Sequence, residues 1–189
     1  KILVFSGSAR TGSHNKQLAS ASASALKTAG ASVTLIDLAD FPMPVYNADL
    51  ETKDGVPESA RELKALFVGH NALLISSPEN NASVTALLKN TLDWVSRPDV
   101  VHDGRIPYRN KVAALVAASP GVLGGLRGLV HLRAILQTLG VLVISEQFAL
   151  SRAHEAFAED GRLIDAKHQA SLDVVAQRLV EVSSKLSPV

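Results

Sequence analysis

The sequence predicts an α/β domain: a five-stranded parallel sheet covered by helices on both faces. Two observations carry that prediction. Short apolar runs alternate with amphipathic stretches along the chain, the rhythm of repeated strand–helix units. The fourth run, after Lys111, is apolar to Ala118, as a strand is when both faces of its sheet are covered. Crossovers between such strands are right-handed. No repeat, low-complexity tract or linker divides the chain, so residues 1–189 read as one domain.

Each element has its own signal. Residues 2–5 form the first strand, followed by a Gly/Ser turn and a helix over 15–29 that Gly30 stops. Residues 32–37, rich in β-branched side chains, form the second strand. Pro42, Pro44 and Gly55 mark 39–56 as a long loop. A helix over 57–70 opens on Pro57 and places Leu63, Leu66 and Phe67 on one face. Residues 72–76 are the third strand. The polar connection Ser77-Pro78-Glu79-Asn80-Asn81-Ala82-Ser83 follows, with Ser83 expected to cap the next helix. That helix, 84–94, carries Val84, Leu87, Leu88, Thr91 and Val95 on one stripe, with Trp94 packed beneath it. Residues 97–110 read as loop. A Gly-rich turn after the fourth strand leads into a helix ending near Gly140, 141–144 form the fifth strand, and a last helix spans 166–186. Its apolar stripe is Leu172, Val175, Leu179, Val182 and Leu186.

Composition narrows the function classes. With 47% hydrophobic and 20% charged residues the chain is globular rather than disordered. A formal net charge of +1 creates no field favouring nucleic acid or an anionic membrane. Zero cysteines exclude disulfides, thiolate metal sites and thiol nucleophiles, which fits a reducing compartment, so a cytoplasmic setting is expected. No apolar run approaches the ~20 residues of a membrane span, and no signal-peptide pattern is read. The chain opens at Lys1 rather than at a methionine, so a short N-terminal piece is expected to be missing.

Ligands of open α/β sheets bind beyond the carboxyl ends of the strands. The loops after strands one, three and four are therefore the informative ones. In the first, Gly7 and Gly12 allow a tight turn, Ser8, Ser13 and Asn15 offer short polar side chains, and Arg10 a forked cation. A helix N-terminus follows, so the loop has the physics of a phosphate site. The plainer alternative is an ordinary turn capped by Ser13 or Asn15. In the third loop, Gly121, Gly124, Gly125 and Gly128 give permissive backbone around a flat or bulky group. Close helix–sheet packing is the alternative, and it accounts more easily for one glycine than for four. A P-loop lysine, G-x-G-x-x-G and a G-x-S-x-G elbow are all absent. The six histidines have no ligand spacing and read as solvated or capping, so no metal site is expected.

The three loops together resemble one family. Gly7-Ser8-Ala9-Arg10-Thr11-Gly12-Ser13-His14-Asn15 is similar to the G-S-x-R-x-x-S-x-N loop of the NADPH-dependent FMN reductases. Pro78-Glu79-Asn80-Asn81-Ala82-Ser83, followed by Leu88-Lys89-Asn90 and Asp93-Trp94, resembles their P-E-Y-N-x-S…L-K-N-x-x-D-W. Gly124-Gly125-Leu126-Arg127 with Leu132-Arg133, and Pro42-x-Pro44-x-Tyr46-Asn47, also resemble family stretches, so the likeness spans essentially the whole chain.

The resemblance implies a flavodoxin-like three-layer sandwich with strand order 2-1-3-4-5, and FMN as cofactor. It implies that Ser8, Arg10, Ser13 and Asn15 hold the FMN phosphate. Pro78, Glu79, Asn80, Asn81 and Ser83 would lie along the isoalloxazine and ribityl chain. Ser119, Pro120, Gly121, Gly124 and Gly125 would approach the ring from another side. The implied reaction passes hydride from NADPH, or NADH, to FMN and then electrons to a small-molecule acceptor: a quinone, azo compound, metal oxyanion or flavin. The cofactor carries that chemistry, so no catalytic side chain is named. Family members are oligomeric, which implies a homodimer or homotetramer, with 97–110 and 42–55 as candidates for the contact or for the substrate wall. One departure is clear: Asn80 stands where the family usually has tyrosine, a loss worth ~1 kcal/mol of flavin binding if ring contact disappears. The alternatives are a non-enzymatic flavin-binding electron carrier and a family member with weakened FMN binding.

Overall fold

The computed structural model describes residues 1–186. Its five strands are β1 (Ile2–Ser6), β2 (Val33–Ile36), β3 (Ala72–Ser76), β4 (Val112–Ala118) and β5 (Leu142–Leu150). They form one parallel sheet in the order β2-β1-β3-β4-β5, the arrangement expected from the resemblance. The order reverses between β1 and β3, whose last residues, Ser6 and Ser76, lie side by side. The first two loops therefore leave the sheet from neighbouring strands, and the third leaves from β4 next to them.

Alternation along the strands splits the core into two layers. Ile2 and Val4 join Ala72, Leu74, Ala114 and Val116 beneath α1 (His14–Thr28) and α6 (Ala166–Leu186). Leu3 and Phe5 join Leu73, Ile75, Ala113 and Leu115 beneath α3 (Glu58–Val68), α4 (Ala86–Val95) and α5 (Leu126–Thr138). Every residue of β1, β3 and β4 is buried, which is why these strands read as unbroken apolar runs.

Three elements differ from the sequence expectation. Residues 39–56 are not all loop: a 3-10 turn (Leu38–Asp40) and α2 (Ala48–Asp54) lie within or overlap them. α2 is capped by Asn47, whose side chain accepts from the Asp49 N–H, and it buries no residue, so it has no apolar stripe to read. β5 runs on to Leu150, well past Ile144. Its register against β4 jumps from Ala113↔Val143 to Leu115↔Gln147, a bulge that places polar Ser145, Glu146 and Gln147 in an edge strand. The stripe of α6 also fades: Leu172, Val175 and Leu179 are buried, while Leu186 is exposed.

Candidate active site

The first loop is a turn rich in hydrogen-bond donors. Gly12 sits at φ +67°, a left-handed conformation that glycine adopts freely. Ser13 occupies the N-cap position of α1, but its hydroxyl does not cap the helix. The N–H groups of His14 and Asn15, the first two of α1, have no protein acceptor among the described residues. Arg10 is exposed, and among the described residues its guanidinium hydrogen-bonds only the Thr11 carbonyl, at 3.3 Å. Lys16, which the sequence reading passed over, donates to the Ala9 carbonyl at 3.2 Å and pairs with Asp37. Together with the burial that opposes it, this pairing leaves the Asp37 carboxyl below its ordinary range. A cavity of about 440 Å³, lined in part by Lys16, Asp37, Ile36 and Phe41, opens on the β2 side of this loop.

Asn15 behaves differently from its neighbours. Its side chain is buried, donates to the Ala118 carbonyl at 2.7 Å, and accepts from the Ala118 N–H and the Ser76 hydroxyl, each at 3.0 Å. The amide thus binds both polar groups of one residue at the end of β4, as a neighbouring strand would. It neither caps α1 nor stands free for a ligand, apart from its remaining amide hydrogen.

The second loop is a tight hairpin. Asn80 and Ser83 exchange backbone hydrogen bonds at 2.9 and 3.0 Å around Asn81 (φ 49°) and Ala82 (φ 63°). Asparagine tolerates this left-handed pair; alanine is strained there. Asn80 is exposed, so the position where the family usually has tyrosine lies on the surface. Ser83 does not cap α4: its hydroxyl meets the His131 ring at 2.9 Å. The cap is Thr85, two residues later, whose hydroxyl accepts from the Leu88 N–H. Both serine and threonine are capping residues, and the sequence alone could not choose between them.

Glu79 is committed to the third loop. Its carboxylate accepts from the backbone N–H groups of Arg127 (3.0 Å) and Gly128 (3.2 Å) and pairs with the Arg127 guanidinium. A carboxylate at a helix N-terminus is favourable on both counts. Burial pushes its carboxyl up, but Arg127 and the two N–H groups outweigh that and hold it below the usual value. Close packing governs the glycines here. A Cβ on Gly124 would lie 2.7 Å from the Ala149 backbone, one on Gly125 2.8 Å from Ala117 Cβ, and one on Gly128 3.2 Å from the Ser83 carbonyl. So close packing, the alternative reading of this loop, accounts for three of the four glycines, while a Cβ on Gly121 would make only ordinary contact, 3.6 Å from the Ser119 hydroxyl. Ser119 accepts the Gly121 N–H on its hydroxyl, and Pro120 and Gly121 are exposed at the tip.

The flanking segments are pinned to α4. Asn90 and Trp94 both donate to the Pro44 carbonyl, and Asn90 also accepts from the Tyr46 N–H. Trp94 is buried, and Tyr46 packs edge-on against it. Arg97 pairs with Glu51 and lies over the Tyr46 ring, tying 97–110 to 42–55. The motif residues Asn90 and Trp94 are thus a clamp, a role the sequence reading did not see. Of the histidines, His70 is buried between the Leu66 carbonyl and the Thr34 hydroxyl rather than solvated.

This donor set fits a flavin mononucleotide. The Ser13 hydroxyl and the His14 and Asn15 N–H groups, which have no partner among the described residues, suit a phosphate together with the exposed Arg10, whose own N–H is donated to the Ser8 hydroxyl at 3.3 Å, and two loops locked together beyond adjacent strand ends suit a flat ring. Fold and donor set together mark an α/β protein suited to a phosphorylated flavin. The chain belongs to the NADPH-dependent FMN reductase family, whose model matches residues 1–155. It is 35% identical over 180 residues to an NAD(P)H-dependent FMN reductase of Pseudomonas aeruginosa, covering 95% of this chain and 92% of that one. An NAD(P)H:quinone oxidoreductase of Solanum tuberosum is 32% identical, covering 98% of this chain and 94% of the relative. Among solved structures, the flavoenzyme NAD(P)H:(acceptor) oxidoreductase of Paracoccus denitrificans superposes with a TM-score of 0.80 at 30% identity, covering 97% of each chain.

Proposed function

We infer that the protein is an FMN-dependent oxidoreductase passing electrons from NAD(P)H to a small-molecule acceptor of quinone type. The observation that carries this reading is the first loop: its N–H groups without a partner among the described residues stand at the switch point of the sheet, in a chain of the NADPH-dependent FMN reductase family. When bound, FMN supplies the redox chemistry; the protein binds it, orients it and sets its electrostatic surroundings. Arg10, Ser8, Ser13 and the first N–H groups of α1 take the phosphate, and Asn15 supports them from below. Pro78, Asn80, Asn81 and Ser83 border the ring, with Glu79 acting through its backbone because its carboxylate is engaged. Ser119, Pro120 and Gly121 border the opposite side, and Gly124 and Gly125 set the shape of that loop. NADPH is the donor assigned ahead of NADH.

The protein works as a homodimer or homotetramer in this reading. Val45, Val100 and Val101, which are 83%, 98% and 73% exposed, support a contact through the two pinned segments. A cytoplasmic setting accords with a chain that has no cysteine and, among its described residues, no helix long and apolar enough to cross a membrane.

The test is acceptor-dependent NADPH oxidation by the FMN-loaded protein with a benzoquinone. Arg10→Ala should weaken FMN about tenfold or more and leave riboflavin nearly unaffected, since only FMN carries the phosphate. A yellow protein that oxidises no NADPH with any acceptor would refute turnover and leave an electron carrier.

A further inference from the structure

We propose that Thr85 is a positioning residue for the phosphate end of the site, acting through the Gly7–Ser8 peptide; the proposal rests on the FMN reading above. The buried Thr85 hydroxyl donates to the Gly7 carbonyl at 2.7 Å while accepting the Leu88 N–H at 3.1 Å. One hydroxyl therefore caps α4 and holds the first loop, 78 residues away in sequence.

A trans peptide is planar, so its N–H points opposite to its carbonyl. Drawing the Gly7 carbonyl onto Thr85 turns the Ser8 N–H away from α4. That N–H has no acceptor among the described residues, like those of His14 and Asn15. A second observation shows that the peptide is held by more than the hydrogen bond. A Cβ on Gly7 would lie 3.0 Å from Leu88 Cδ2, 3.1 Å from Leu88 Cβ and 3.3 Å from Pro78 Cδ. Gly7 is backed against the start of α4 and the exit of β3, and the hydroxyl sets the rotation of a peptide whose position packing has already fixed. An orphan N–H held in one direction is what a phosphate oxygen requires, and presenting it already ordered removes a cost from binding.

Two variants and one measurement on the unaltered protein test this. Thr85→Ala should weaken FMN about tenfold, roughly one hydrogen bond's worth, with riboflavin changed less than about twofold. Thr85→Ser, which keeps the hydroxyl, should restore FMN affinity. In the wild type, the Ser8 amide resonance should move downfield on adding FMN and stay in place on adding riboflavin; this reading holds even if Thr85→Ala does not fold. Equal losses for the two flavins in Thr85→Ala, or a Ser8 amide indifferent to the phosphate, overturns the positioning role alone. A wild type that binds FMN no more tightly than riboflavin removes the phosphate site, and the role of Thr85 with it.

Discussion

Replacing Asn15 with alanine separates two roles that the sequence could not distinguish. Its side chain makes three hydrogen bonds, to the Ala118 carbonyl, the Ala118 N–H and the Ser76 hydroxyl. Alanine leaves all three partners buried without a replacement. At about 1 kcal/mol for each lost bond, the cost is about 3 kcal/mol. For a chain of this size that lowers Tm by about 6–12 °C. The assay is thermal unfolding of the flavin-free protein, followed by titration with FMN and riboflavin. We expect a large loss of stability, with both flavins weakened together because the ends of β3 and β4 lose their tie to α1. A Tm within about 2 °C of wild type, combined with a loss confined to FMN, would refute the reasoning and return Asn15 to the phosphate.

Two other perturbations probe the supporting structure. Ala82→Gly relieves the left-handed strain at φ 63° but adds chain entropy to the unfolded state, so urea unfolding should show a net gain of about 0.5 kcal/mol. Asp99→Asn strips the partner from Lys64, a fully buried lysine 2.9 Å from Asp99 that also donates to the Arg97 carbonyl, and should cost about 3 kcal/mol. Burial raises the Asp99 carboxyl, but the Lys64 ammonium and the N–H groups of His102 and Val101 prevail and bring it down to about 2 from an ordinary 3.8. The lowered value means that this stabilisation is complete above pH 3.8 and is lost as pH falls towards 2, an acid-dependent contribution of about 2 kcal/mol. Urea unfolding at pH 5 and at pH 2.5 should therefore show a smaller acid loss in Asp99→Asn than in wild type; equal losses would contradict the assignment.

Much of the architecture could be read before any coordinates. β1, β3 and β4 are buried on both faces and so appear as apolar runs, and α3 and α4 bury a stripe and so show helical periodicity. α2 escaped because a helix that buries nothing has no stripe, and the end of β5 escaped because its bulged edge is polar. Of the two histidine readings, solvated or capping, His70 takes the second, on the last-turn Leu66 carbonyl of α3; its burial was not legible because its other partner, Thr34, comes from a strand that the sequence does not place beside it.

The candidate site divides along the same line. Its three loops and their residue types were legible, because strand–turn–helix order and short motifs are local properties of a chain. Which of those residues stay free for a ligand was not legible. Asn15 is spent on Ala118 across 103 positions, Glu79 on Arg127 across 48, and the cap of α4 reaches Gly7 across 78. A polar side chain of one type serves a ligand or the fold according to what lies within about 3 Å of it. Distances between residues so far apart in sequence are set by the packed sheet and its helices.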